Sequence, residues 1–237
     1  DRGLRAQKEY LRWFPSLNAS YNLRDNLIAR AGYYWSVGRP DFSQYAGSLT
    51  LPDAEADPSP NNTIQVNNVG IKAWSAKTVK ASLEYYFEDV GLISVGAFRR
   101  DFKNFFGSTR FRATPEFLDL YSLDDSVYGR YDVVTQYNLP NGVHMTGMDV
   151  NYKQALTFLP SWARGMQVFA NARAQRTVGD DTARFAGYIP RTLNWGVSLS
   201  RSKFSARVKA NYTSRSRLAP VATGASIEPG TFNWRAS

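Results

Sequence analysis

His144 is the single histidine among 237 residues, and cysteine is absent. Thiol catalysis, disulfide staples, Fe–S clusters and cysteine-held zinc are therefore excluded, and a multi-histidine metal site within the chain is impossible. Carboxylates fall close together at Asp53/Glu55/Asp57, Asp124/Asp125 and Asp180/Asp181. Such groups suit general acid–base work or calcium, and equally suit solvated loops. His144 stands just before an alternating stretch, where a solvated loop-end imidazole accounts for it. No glycine-rich phosphate loop with a following lysine occurs, and no Gly-x-Ser-x-Gly elbow. Neither an enzyme centre nor a cofactor is expected.

The remaining chemistry is cationic and aromatic. Lysine and arginine number 29 against 20 acidic residues, for a net charge of +9, and aromatics make up 14% of the chain. Nucleic-acid binding would cluster that charge. Here Arg30, Lys80, Lys153, Arg173, Arg207 and Lys209 are dispersed, one or two to a stretch. Arg39, Trp74, Arg110, Phe111 and Tyr131 fall between the regular stretches. Tyrosine and tryptophan faces suit sugars, and arginine suits anionic ligands.

Alternation with period two positions these residues. Leu17, Ala19, Tyr21 and Leu23 face one way, with Asn18, Ser20 and Asn22 between them. After a turn at Arg24–Asn26, the scheme repeats with Leu27, Ala29, Ala31, Tyr33, Trp35 and Val37. It returns from Val79 to Phe87, Ile93 to Ala97, Met148 to Tyr152, Val168 to Ala174, Leu193 to Leu199 and Phe204 to Tyr212. The dispersed cations all sit at the polar parity. No segment reads as a long amphipathic helix.

Connections alternate in length. Arg24–Asn26, Glu88–Gly91 and Arg201–Lys203 are short, and Phe158–Gly165 is somewhat longer. Gly38–Lys77, Gly107–Gly142, Thr177–Arg191 and everything after Arg215 are long. Short turns at one end with long loops at the other is the plan of an outer-membrane barrel, with periplasmic turns and extracellular loops. Mean hydropathy is −0.41, and no apolar run approaches the roughly 18 residues of a membrane helix. Strands with one lipid face and one polar face average to such a value. A soluble β-sandwich also alternates, but aromatics at the strand ends (Trp13, Tyr21, Trp35, Phe87, Tyr152, Trp195, Tyr212) favour an interfacial girdle.

Three blocks go beyond pattern. They are YYWSVGRPDFSQY from Tyr33 to Tyr45, WSAKTVKASLEYYFEDVGLISVGAFRRDFKNFF from Trp74 to Phe106, and GMDVNYKQALTFLP from Gly147 to Pro160. FANARAQ and GYIPRTLNWGVS follow the last. In order and spacing these resemble the C-terminal barrel half of TonB-dependent outer-membrane receptors, from about Trp13 to Arg215. Arg191 stands where the family often has histidine, Ile189 where it often has valine. The run before the second block is eroded to Asn68-Val69-Gly70-Ile71-Lys72-Ala73, which puts that turn's geometry in question.

The resemblance implies an all-β, antiparallel, up-and-down transmembrane barrel in a Gram-negative outer membrane. Its members take up a scarce, bulky ligand without transforming it, driven by the TonB–ExbB–ExbD complex acting on a plug domain of the same chain. Lumen-facing candidates are then Arg30, Lys80, Arg173, Arg207 and Lys209, with Lys153. Loop candidates for an oligosaccharide or siderophore-type ligand are Arg39, Trp74, Arg110, Phe111 and Tyr131. Outer-membrane lipid is the expected surrounding; nucleic acid is not expected. A receptor barrel has about 22 strands, whereas residues 1–237 provide about nine or ten by their alternation. Signal peptide, plug, TonB box and a terminal aromatic strand are missing, so the chain is expected to be an internal part of a longer receptor. Two alternatives stay open: a small autonomous outer-membrane barrel serving as porin, adhesin or enzyme, and a soluble β-sandwich binding module.

Overall fold

The computed structural model describes residues 13–87, 91–179, 188–221, 224–228 and 231–236. The turn at 88–90 and the Asp180/Asp181 pair lie outside the described residues. Nine strands form the main sheet: β1 (Ser16–Arg24), β2 (Leu27–Gly38), β5 (Trp74–Phe87), β6 (Gly91–Lys103), β9 (Val143–Ala155), β10 (Met166–Val178), β11 (Arg191–Ser200), β12 (Ser205–Thr213) and β15 (Thr231–Ala236). They pair in that order, every pair antiparallel. The sheet is not closed, with β1 and β15 as its edges, so it is part of a barrel wall. β5, at 14 residues, exceeds the roughly 9–11 that a tilted strand needs to cross a bilayer.

The register sorts the two faces. Tyr21, Ala29, Leu83, Val95, Val150, Ala172, Leu193 and Tyr212 fall in one continuous row across eight strands. Among the described residues nothing covers this row: Val150 stays 37% exposed and Val79, nearer the long connections, 55%. Because apolar side chains in water would waste the burial that folds a soluble sheet, this is the lipid-facing side. The opposite face carries serine, asparagine and, among the charges, Arg30, Lys80, Glu84, Asp149, Lys153, Arg173, Arg207 and Lys209. Aromatics close the short-turn end of the apolar face, where Tyr85, Phe87 and Tyr152 meet edge to face at centroid distances of 5.2 and 6.4 Å.

The buried core lies in the long connections. Residues 39–73 hold α1 (Phe42–Tyr45), β3 (Leu49–Thr50) and β4 (Ile64–Val66). Residues 104–142 hold β7 (Phe106–Arg112), α2 (Pro115–Tyr121), α3 (Asp125–Tyr128) and β8 (Asp132–Asn138). The two sets combine into a second sheet of order β3-β4-β8-β7, in which β4 and β8 run parallel. These segments, expected as long extracellular loops, build a folded cap. Ile64, Leu118, Tyr131 and Val133 are buried at its centre. Local signals fix its helices. Thr114 accepts from the Phe117 amide, Pro115 fills the first turn, and Ser122 ends α2 in the left-handed region at φ 55°. The expected loop after Arg215 likewise contains β13 (Ser216–Val221), β14 (Gly224–Glu228) and β15, which joins β12. β15 places Phe232 opposite Tyr212 and Trp234 opposite Ala210.

Candidate functional site: the polar wall and its cap

Polar-face side chains stand where a ligand passing along the lumen would meet them. Arg30 Nε lies 3.0 Å from Glu84 Oε1, and the Tyr86 hydroxyl donates to the same carboxylate at 2.9 Å. The pair forms because Arg30 and Glu84 come from adjacent strands at the same parity, diagonal to each other with Arg30 opposite Ser82, two residues from Glu84. Both line a depression with Lys80, Asn18 and Tyr34, of about 430 Å³. Arg173 faces Asp149 in register across β9 and β10. The Asp149 carboxylate lies over Gly96, with one oxygen near the Asn151 amide at 3.4 Å and Oδ1 unpaired among the described residues. Arg207, Lys209 and Lys153 line a further depression, also of about 430 Å³, with Gln167, Phe169 and Asn171.

The register exposes a feature that no single stretch of sequence displays. Asn151, Asn171, Asn194, Asn211 and Asn233 are direct neighbours on five consecutive strands. A row of carboxamides offers alternating donors and acceptors without net charge. Below it, the Phe169 ring lies against Gly196, where a Cβ would come within 2.7 Å of the ring. The signal for this row existed in the sequence as asparagines at polar parity, but only strand pairing aligns them.

The cap places the loop candidates differently from one another. Tyr131 is fully buried, its hydroxyl donating to the Ala56 carbonyl at 2.7 Å, with the Asp53 carbonyl at 3.0 Å. It presents nothing to a ligand; it holds the cap together. Trp74 packs between Phe102 and Phe105 at 5.4 and 6.1 Å, half-buried at the mouth of the wall. Arg110 is engaged with Asp132 at 2.7 Å. Phe111 stays 39% exposed, edge-on to Phe117, and Arg39 is exposed. Tyr131 and Trp74 are thus drawn into the packing, while Arg39 and Phe111 stay exposed.

Residues outside the expected set organise the cap. The Asn62 carboxamide accepts from the Asp53 amide at 2.8 Å and donates to the Asp53 carbonyl at 3.0 Å. Asn138 spans the joint between cap and wall, accepting from the Lys72 amide at 2.7 Å and donating at 2.8 Å to the Lys72 and Asn104 carbonyls. The Asp53/Glu55/Asp57 group is absorbed in this scaffold: Asp53 Oδ1 accepts from the Glu55 amide, and Asp57 lies 3.8 Å from Arg130. Among the described residues no group of three or more acidic or histidine side chains is arranged to hold a metal.

A lipid-facing apolar band, a charged inner face, short turns at one end and a folded cap at the other define an outer-membrane-type β-barrel wall. The chain belongs to the TonB dependent receptor-like, beta-barrel family, whose pattern it matches over residues 2–236. It is similar in structure to a mutant of the ferric enterobactin receptor PfeA from Pseudomonas aeruginosa in complex with enterobactin. The TM-score is 0.64 at 16% identity, over 94% of this chain and 32% of that one. The siderophore receptor PirA from Pseudomonas aeruginosa gives 0.61 at 16%, over 95% and 35%. The ferric citrate transporter FecA gives 0.59 at 14%, over 94% and 30%. The chain thus spans about a third of the length of these structures, and at such identities the likeness carries the fold alone. No curated protein matches the sequence significantly.

Proposed function

We propose that residues 1–237 supply part of the barrel wall and extracellular cap of an outer-membrane active transporter in a Gram-negative bacterium. The transporter captures a scarce, bulky ligand and imports it with TonB-supplied energy, transforming nothing. A plug domain of the same full-length chain fills the lumen and couples to TonB–ExbB–ExbD. The observation that carries this reading is the nine-strand wall with one apolar and one polar face, in a chain matching the receptor family throughout. Open edges at β1 and β15 favour it over a small autonomous barrel, which would pair them. The exposed apolar row favours it over a soluble sandwich, which would cover it.

For the ligand, the wall offers cations at Lys80, Arg173, Arg207 and Lys209 beside neutral carboxamides. That combination suits a ligand with carboxylate, catecholate or hydroxyl oxygens, a siderophore-type chelate or an oligosaccharide. The enterobactin, siderophore and ferric citrate receptors among the similar structures support the chelate. The test is uptake by cells producing the full-length protein, with and without TonB, using labelled ferric chelates and oligosaccharides. TonB-dependent accumulation of one class is expected. Equal uptake without TonB would overturn the reading.

A further inference from the structure

Two phenylalanines interrupt the polar face, and both do so in the same way. Phe98 on β6 and Phe169 on β10 stand at lumen parity among lysine, asparagine, glutamine and serine. On the following strand each has glycine as its direct neighbour, Gly147 beside Phe98 and Gly196 beside Phe169. The rings lie over these glycines: a Cβ at Gly147 would come within 2.6 Å of the Phe98 ring, and one at Gly196 within 2.7 Å of the Phe169 ring. On the preceding strand each has lysine, Lys80 opposite Phe98 and Lys153 opposite Phe169. The row Lys–Phe–Gly thus occurs twice, on β5, β6 and β9 and again on β9, β10 and β11.

The glycine covers one face of each ring. Both side chains remain half-buried, so the other face is turned to the lumen, where an apolar surface gains only from something that covers it. Charge surrounds that face. Lys80 and Lys153 are exposed. Lys209 is the next neighbour beyond Gly196, and Arg207 stands diagonal to it, opposite Ser198. Lys153, Arg207 and Lys209 have no carboxylate partner among the described residues. From β9 to β12 the one carboxylate at lumen parity is Asp149, four residues along β9 from Lys153, a span of about 13 Å. The two rows cross β10 at Gln175 and at Phe169, which sets them about 20 Å apart along the strand.

An aromatic face edged by ammonium groups accepts a flat ring that carries anionic oxygens. The ring stacks, and the oxygens reach the cations. A neutral ring forgoes the second contact, and a small carboxylate the first.

We propose that Phe98 with Lys80, and Phe169 with Lys153, Arg207 and Lys209, form two stations on the inner wall for a ligand bearing aryl anions. One station lies nearer the cap and the other nearer the short turns. The pair rests on the transporter reading above and specifies its ligand class.

The test is saturation-transfer NMR of salicylate with the full-length protein in detergent, with benzyl alcohol as the neutral ring and acetate as the ringless anion. Salicylate is expected to give the strongest transfer. Lys80→Gln/Phe98→Leu and Lys153→Gln/Phe169→Leu should each remove part of it, and the four changes together more than either pair. Lys153→Arg/Phe169→Tyr, which keeps ring and charge, should retain the signal. Equal thermal midpoints across the set control for misfolding. Equal transfer from benzyl alcohol or acetate would overturn the ligand class. An undiminished signal in the fourfold variant, or no transfer to salicylate in the wild type, would overturn the stations. Uptake independent of TonB, with salicylate binding intact, would instead bring down the transporter reading alone.

Discussion

The Tyr131 hydroxyl donates to the Ala56 carbonyl at 2.7 Å while Arg130 donates to that same hydroxyl at 2.9 Å. One phenol thereby ties the second long connection to the first, inside a core shared with Ile64 and Val133. Tyr131→Phe keeps the ring and removes the donor, leaving the Asp53 and Ala56 carbonyls to the Asn62 carboxamide. A loss of about 0.5–1.5 kcal/mol in cap stability, that of one ordinary hydrogen bond, is expected. Hydrogen exchange in the full-length protein should show faster exchange in residues 53–62 and unchanged protection in β5 and β6. Uniform loosening of cap and wall would contradict the cap's independence.

The two faces of β10 predict opposite outcomes for neighbouring positions. Ala172 lies in the continuous apolar row and Asn171 in the carboxamide row. Ala172→Arg should destabilise membrane folding by about 2–4 kcal/mol, the penalty for arginine near the bilayer midplane. Asn171→Arg should change it little. Reversible folding into vesicles under denaturant measures both, and equal effects would refute the face assignment.

Gly196 sits where a Cβ would meet the Val208 carbonyl at 2.5 Å and the Phe169 ring at 2.7 Å. Gly196→Ala is therefore expected to cost about 1–3 kcal/mol as an overpacked site. Adding Phe169→Leu should recover only part of the loss, since the backbone contact to β12 remains. Full recovery in the double variant would show the ring to be the sole obstacle.

Asp124 caps α3, and the Ser126 hydroxyl and amide hold its carboxyl below the ordinary carboxylate value. Because the folded form binds its proton less readily than the unfolded, its contribution is complete at neutral pH. That contribution is lost as pH falls through the lowered value. Amide protection at Val127, Tyr128 and Gly129, corrected for intrinsic exchange, should decline only in that acid range. Asp124→Asn should retain the cap and remove the pH dependence.

The wall was legible in sequence because a half-buried strand writes its period over many residues, as Val79 to Phe87 does. The cap was not. Leu49–Thr50 and Ile64–Val66 are too short to show any period, and β8, which ties their pair into the cap through β4, lies far along the chain. Tyr131 illustrates the limit at the level of a site. A loop tyrosine next to an arginine reads the same whether it awaits a ligand or fills a core, and only burial separates the two. The asparagine row failed for a different reason: its members are scattered along the sequence, and pairing alone aligns them.

The parallel pairing of β4 with β8 bears on the order of assembly. Ile64 pairs with Val133 across the whole intervening β5–β6 hairpin, and closing so long a stretch of chain opposes that contact. The hairpin is therefore expected to form ahead of the β4–β8 pair, and pulsed hydrogen exchange on the full-length protein should show β5 and β6 protected before β4.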